Sequence, residues 1–331
     1  MKIVFFEVQQ WEEELLKNSF PNAVLIKDKL SDENISKYID AEIISTFIYS
    51  KITKNIIDKF LNLKYISTRS TGFDNIDLQA CKNKNIKISN VPEYGSSTVA
   101  EFTFALLLNL TRKVFQSVNQ AKQLDFNHQS IEGIDLDGKT IGILGLGKIG
   151  KHVLQIAKGF NMKILVFSHK KDLDLAKEMN FEYTDLDTLL AKSDVITLHL
   201  PLTDKTHHII NKNNILKFKK GSYLINTARG GLIDTEAILL GLEEGILAGV
   251  GLDVLEGEDK LTDETVMLNY KSPNISTLKT ILGNHVLLNH PKVLITPHNA
   301  FNSKEALSKI ISVTISNINN FLNNNLENLV S

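Results

Sequence analysis

Thr140-Ile141-Gly142-Ile143-Leu144-Gly145-Leu146-Gly147-Lys148-Ile149-Gly150 is an apolar run that breaks into a glycine-rich turn. A glycine triplet of this spacing is common by itself. Its context is what counts: an apolar strand enters the turn, and a helical pattern over His152–Phe160 leaves it. Each glycine has a distinct task. Gly145 permits a tight turn, Gly147 lets the backbone approach a pyrophosphate, and Gly150 lets helix and strand pack closely. The first amides of the helix then offer unpaired N–H groups and a partial positive charge to phosphate. A plain strand–helix turn is the competing reading.

Outward from this stretch the chain alternates short apolar runs with helical spacing. Downstream, strands are expected at 140–144, 163–167, 195–200, 222–226, 249–253 and 293–296, with helices between most of them. Upstream, strands are expected at 3–6, 23–26, 43–47, 65–68 and 86–89, with helical spacing at Lys54–Phe60. Such alternation predicts parallel α/β sheets. Thr98-Val99-Ala100-Glu101 reads as a capping box opening one long apolar helix to about Gln120, suited to linking domains or to forming a dimer face. Residues 257–291 interrupt the rhythm without a strong strand, and Ser303–Leu322 reads as a capped amphipathic helix.

Composition narrows the function classes. The 331 residues suit two domains, and 43% hydrophobic with 23% charged residues is ordinary for a globular chain with a sizeable core. A net charge of −1 argues against a nucleic-acid partner. The single cysteine, Cys81, excludes a disulfide framework within the chain and fits a reducing, cytoplasmic setting. No apolar stretch spans a bilayer. Met1–Phe6 reads as a first strand rather than a leader, because Glu7 ends its apolar run.

Three downstream strands share a design, each ending in polar residues. Tyr223-Leu224-Ile225-Asn226 leads into Thr227-Ala228-Arg229-Gly230-Gly231, Val250-Gly251-Leu252-Asp253 into Val254-Leu255-Glu256-Gly257-Glu258, and Val293-Leu294-Ile295-Thr296 into Pro297-His298. Strand carboxyl ends face the ligand crevice in an open α/β sheet. A cation, a carboxylate and an imidazole therefore gather there. Arginine's planar fork matches a carboxylate, and histidine exchanges protons near neutral pH. Glu256 rivals Glu258 as the acid. His285 and His290 rival His298 but follow no strand and read as loop histidines. His207-His208 are adjacent rather than at helical ligand spacing, which speaks against a metal site. His199 reads as packed within its strand, and no metal is expected.

Together with Arg69-Ser70-Thr71-Gly72-Phe73-Asp74-Asn75-Ile76-Asp77 and Val91-Pro92-Glu93-Tyr94, these motifs resemble the D-isomer-specific 2-hydroxyacid dehydrogenases, nearest the D-lactate dehydrogenase branch. The resemblance covers nearly the whole chain. It implies two doubly wound α/β domains: a flavodoxin-like catalytic domain of residues 1–100 and 301–331, and a Rossmann domain of residues 101–300 inserted in it. It implies catalysis by Arg229, Glu258 and His298, with Glu258 preferred to Glu256 by its spacing from Asp253 and favouring the charged form of His298. It places the dinucleotide against Gly145, Gly147, Lys148, Ile149, Gly150, Ser168, Thr227, Ala228 and Asp253. It places substrate against Thr71, Gly72, Arg229, Tyr94 and Phe301, the last two having a competing reading as packing aromatics. NAD-using members end the second Rossmann strand in aspartate, whereas this chain has Ser168 followed by His169, Lys170 and Lys171, so the expected cofactor is NAD or NADP. The implied activity is hydride transfer between that cofactor and a small 2-keto acid, pyruvate foremost, in a homodimer. Glyoxylate or hydroxypyruvate reduction is the sibling alternative, and a non-catalytic NAD-sensing scaffold is the alternative from another class.

Overall fold

A computed structural model describes residues 1–129, 131–258, 261 and 275–330. The chain divides into two compact units, Met1–Gly95 with Asn302–Ser331, and Ser96–Phe301. Among the described residues no helix is long and apolar enough to cross a membrane.

In the first unit, β1 (Ile3–Phe5), β2 (Val24–Leu25), β3 (Ile43–Thr46), β4 (Tyr65–Thr68) and β5 (Lys87–Ser89) form a parallel sheet in the order β2-β1-β3-β4-β5. This is the flavodoxin-like order. Strand side chains alternate faces, and both faces are buried, so the apolar runs are continuous. Val4, Ile44, Ile66 and Ile88 pack in one core with Ile56, Ile57 and Ala80 from helices Lys54–Lys59 and Leu78–Asn83. Ile3, Phe5, Ile43 and Tyr65 pack in the other, with Leu16 of helix Glu13–Ser19 and Ile311 and Ile318 of helix Lys304–Leu322. The C-terminal helix thus completes a sheet begun three hundred residues earlier. Ser303 caps it by accepting from Ala306 N, and Tyr65 stacks on Phe321 with centroids 4.3 Å apart.

The second unit holds β6 (Thr140–Leu144), β7 (Lys163–Phe167), β8 (Glu182–Tyr183), β9 (Val195–Leu198), β10 (Ser222–Asn226), β11 (Leu247–Leu252) and β12 (Val293–Ile295). All are parallel, in the order β12-β11-β10-β9-β6-β7-β8. The order reverses between β6 and β9, the switch point where doubly wound sheets bind ligands. Helix Ser96–Thr111 packs on helix Lys148–Gly159, burying Ala100, Phe104 and Leu107 with Val153, Leu154 and Ala157.

Local expectations fail where tertiary contacts override them. The predicted 98–120 helix is two helices, Ser96–Thr111 and Val114–Lys122, broken at Lys113, which has a left-handed φ of 49°. Thr98 lies inside the first rather than capping it. The two-residue strand β8 is too short to leave a periodic signal. Within 257–291, Ile275–Leu288 is helical, so His285 is a helix residue and not a loop histidine. Gly283 obscured that helix, yet it is needed there: a Cβ on it would meet Thr235 Cγ2 at 2.8 Å. Residues 259–260 and 262–274 of the segment lie outside the described residues.

Candidate active site

The glycine turn is held as its chemistry requires. Gly145 has φ +100°, and a Cβ on it would sit 2.6 Å from His199 O. A Cβ on Gly150 would sit 2.1 Å from Gly145 O, so strand and helix touch through glycine backbone. A Cβ on Gly147, by contrast, meets nothing within 4 Å, and this residue starts helix Lys148–Gly159 without a side-chain cap. An open backbone beside uncapped helix amides fits a pyrophosphate. Lys148 and Ile149 form the first residues of that helix. Ser168 is half-buried just past β7, His169, Lys170 and Lys171 are exposed, and the nearest acid, Asp172, accepts from Leu175 N as a helix cap. The carboxylate expected of an NAD site is thus replaced by serine, with cations after it.

The three polar strand ends lie side by side because β10, β11 and β12 are neighbours in register, Asn226 opposite Leu252 and Leu252 opposite Ile295. Asn226 shapes the first loop: its Nδ2 donates to Arg229 O at 2.8 Å and its Oδ1 accepts from Ala228 N at 3.0 Å. Thr227 is buried, its hydroxyl 2.9 Å from that of Thr103. Arg229 is half-buried, and its Nη1 donates to Ala228 O at 2.8 Å.

Asp253 organises the histidine loop. Its Oδ1 accepts from Thr296 Oγ1 at 2.5 Å and Asn299 N at 2.8 Å, and its Oδ2 accepts from Ala300 N at 2.8 Å. Burial pushes its carboxyl above the usual carboxylate range, against the pull of these bonds and the nearby His298. The backbone of His298 is left-handed, with φ 52°, and its N–H donates to Asp253 O at 2.9 Å. This turn sets His298 Nδ1 2.9 Å from Glu258 Oε1. With Nδ1 engaged by a carboxylate, Nε2 is the nitrogen left to exchange a proton.

The rival acid Glu256 has a different partner. His208 Nε2 lies 2.6 Å from Glu256 Oε1, and ligand atoms of His207, His208 and Glu256 fall within 4.8 Å of one another. That contact is a hydrogen bond, shorter than the roughly 3.3 Å between two ligands of one tetrahedral ion, and the histidine rings stack at 3.9 Å. Linear spacing gave no signal of this pairing. His199 does pack, its Nε2 2.9 Å from Thr197 Oγ1, and burial holds its imidazole down at about 3.

In the first unit, Thr71 Oγ1 donates to Val91 O at 2.9 Å and Asn90 Nδ2 donates to Thr71 O at 2.8 Å, pinning the Thr71–Gly72 loop to the exit of β5. Arg69, to which no role was assigned from sequence, is wholly buried. It donates to Phe6 O at 2.7 Å and Glu7 O at 3.0 Å and pairs with Glu12 at 3.3 Å. It braces the loops after β1 and β4. Tyr94 and Phe301 are half-buried.

The second unit is therefore a dinucleotide-binding α/β domain with an arginine, a His–Glu pair and a buried aspartate at its carboxyl edge. A family model described as D-isomer specific 2-hydroxyacid dehydrogenase, NAD binding domain, matches residues 104–300. A 2-hydroxyacid dehydrogenase homolog of Zymomonas mobilis is 36% identical over 87% of this chain and 85% of its own. An aromatic 2-oxoacid reductase of Clostridium sporogenes is 38% identical over 80% of this chain and 77% of its own. The crystal structure of D-lactate dehydrogenase from Aquifex aeolicus with NAD and lactic acid superposes with a TM-score of 0.89 and 35% identity, covering 99% of both chains. The chain belongs to the D-isomer-specific 2-hydroxyacid dehydrogenase family.

Proposed function

We propose that this chain reduces small 2-keto acids to D-2-hydroxy acids, with pyruvate to D-lactate as its principal reaction, using NADH or NADPH. The observation that carries the reading is the 2.9 Å His298–Glu258 pair at the strand edge that also presents Arg229. Bound at Gly145–Gly150, the dihydronicotinamide dinucleotide supplies the hydride. Arg229 takes the keto acid through its planar fork and polarises the carbonyl. His298, charged and steadied by Glu258, gives its Nε2 proton to the developing alkoxide, a contribution of about 10²–10⁴-fold. Asp253 keeps the His298 loop in place, and Thr227 and Ala228 bring the turn that carries Arg229 to the nicotinamide side. The family resemblance also assigns Thr71, Gly72, Tyr94 and Phe301 to the substrate. A second reading, reduction of aromatic 2-keto acids, is favoured by the Clostridium relative. The exposed apolar row Val114, Phe115 and Val118 on one short helix supports a homodimer.

Ser168 makes the dinucleotide preference specific. A serine hydroxyl can bond a ribose 2′-OH but carries no charge to repel a 2′-phosphate, and His169, Lys170 and Lys171 can pair with one. We expect NADPH to serve far better than it does in an aspartate-bearing relative, and Ser168→Asp to shift the kcat/KM ratio toward NADH. The test is a panel of 2-keto acids assayed with both dinucleotides in wild type and this variant. A wild-type NADH preference of about 100-fold, roughly 2.7 kcal/mol, or a ratio unmoved by Ser168→Asp, overturns the dinucleotide assignment. Absence of turnover with every 2-keto acid overturns the activity.

A further inference from the structure

We propose that Glu256 and His208 are a positioning pair that holds Arg229 and Glu258 in register for the reaction; the inference rests on the role given above to Arg229. The contacts close a ring around the turn after Arg229. Gly230 lies flush on the acidic loop, since a Cβ there would sit 2.1 Å from Leu255 C and O and 2.4 Å from Glu256 N. From that point the Glu256 side chain reaches past the short turn Gly230–Leu232. Its Oε2 accepts from Thr235 Oγ1 at 3.0 Å, and its Oε1 meets His208 Nε2 at 2.6 Å. His208 closes the ring through its own backbone, donating its N–H to Gly231 O at 2.9 Å. Its φ of 50° is the left-handed conformation.

Glu256 also steadies the loop that carries Glu258. Asn284 Nδ2 donates to Glu256 O at 2.8 Å, anchoring that loop to helix Ile275–Leu288, and Leu255 N donates to Glu258 Oε2 at 3.2 Å. The Glu256 carboxylate therefore ties the start of helix Thr235–Glu243 to His208, whose backbone N–H holds the arginine turn, while the Glu256 backbone carbonyl ties the acidic loop to Asn284. The two acids of the loop divide the work: Glu258 pairs with His298, and Glu256 pairs with His208 on the arginine side. Both members of the second pair are largely shielded, with side chains 32% and 20% exposed. A partner removed from it leaves a polar group poorly solvated, and the turn free to relax.

The experiment compares wild type with Glu256→Ala, His208→Ala, His208→Gln and the double alanine variant. Each single alanine variant should lose about 10- to 100-fold in kcat/KM for the keto acid, chiefly through KM, as expected of a small misplacement of a binding group. The dissociation constant for NADH should stay within about two-fold of wild type, because the glycine turn is untouched. The double variant should be no worse than the poorer single, since both remove one contact. His208→Gln keeps an N–H donor and should recover most of the loss. In an Arg229→Lys background, Glu256→Ala should cost little more. Additive losses, alanine variants as active as wild type, or an equal loss of NADH binding overturn the proposal. Amide exchange reads the ring independently of turnover. Residues 230–235 should exchange faster in His208→Ala and regain protection in His208→Gln. Unchanged exchange sinks the positioning pair whatever the activity, whereas faster exchange in a protein that turns over no 2-keto acid sinks only the functional reading on which it rests.

Discussion

His298 and Glu258 meet with side chains 27% and 43% exposed. A pair this open to water contributes only about 0–1 kcal/mol to folding. Its value lies in fixing the ring through Nδ1. Replacing Glu258 by Ala removes that contact and leaves the ring free to turn. Turnover of the keto acid should therefore fall by about 10²-fold, the lower end of what a positioned general acid supplies, with NADH affinity unchanged. Steady-state kinetics and NADH titration check this, and turnover equal to wild type contradicts the pairing. Asp253 contrasts with these two. It is 1% exposed and accepts from three donors across the histidine loop, so its carboxylate is a fixed part of the loop's backbone bonding.

Among elements, β6 and helix Lys148–Gly159 show how one turn separates stability from binding. Gly150 touches Gly145 O, and Gly147 faces open space. Gly150→Ala forces a methyl carbon against backbone that cannot rotate away, so a stability loss at or above the about 1–3 kcal/mol of ordinary overpacking is expected. Gly147→Ala meets nothing and has an unstrained φ of −74°, so stability should change by less than about 0.5 kcal/mol. Its methyl nevertheless occupies the side where a pyrophosphate would approach, and NADH affinity should fall sharply. Thermal melts and NADH titration of the two variants check this. The reverse pattern, with Gly147→Ala unstable and Gly150→Ala merely weak in binding, contradicts the assignment of the turn.

On the scale of the whole molecule, each unit has its own parallel sheet with apolar layers on both faces. Such burial makes folding sensitive to acid wherever it traps a neutral base. His199 Nδ1 is buried without a hydrogen-bond partner among the described residues, and its imidazole is held down at about 3, from an ordinary 6.5. Between those values the unfolded chain binds a proton that the folded chain does not. Stability contributed by neutral His199 is therefore complete above about pH 6.5 and is lost as pH falls toward 3, at no more than about 1.4 kcal/mol per pH unit. Urea unfolding between pH 7 and 5 should show this slope in wild type and a shallower one in His199→Gln. Equal slopes would mean that the imidazole titrates normally in the folded protein.

What the sequence by itself determined is whatever depends on neighbours a few residues away. The strands Tyr65–Thr68, Thr140–Leu144, Lys163–Phe167 and Ser222–Asn226 were legible to the residue, because each is an apolar run with a sharp polar or glycine boundary. The glycine turn was legible because its spacing is itself local, and the polar tails of β10, β11 and β12 because each follows its own strand directly. The break at Lys113, the helix through Gly283 and the brief strand β8 were not, since packing overrode weak local preference. Nor was the partner of Glu256: the family resemblance, through the spacing from Asp253, pointed Glu258 at His298, but nothing pointed Glu256 at His208. Glu256 and Glu258 are two residues apart and equally placed to meet a histidine. Only the alignment of β9, β10, β11 and β12, which brings residues 40 to 48 positions apart into hydrogen-bond range, sends one to His298 and the other to His208. A side-chain pair of that kind has no existence in the extended chain, so spacing without the family resemblance does not encode it.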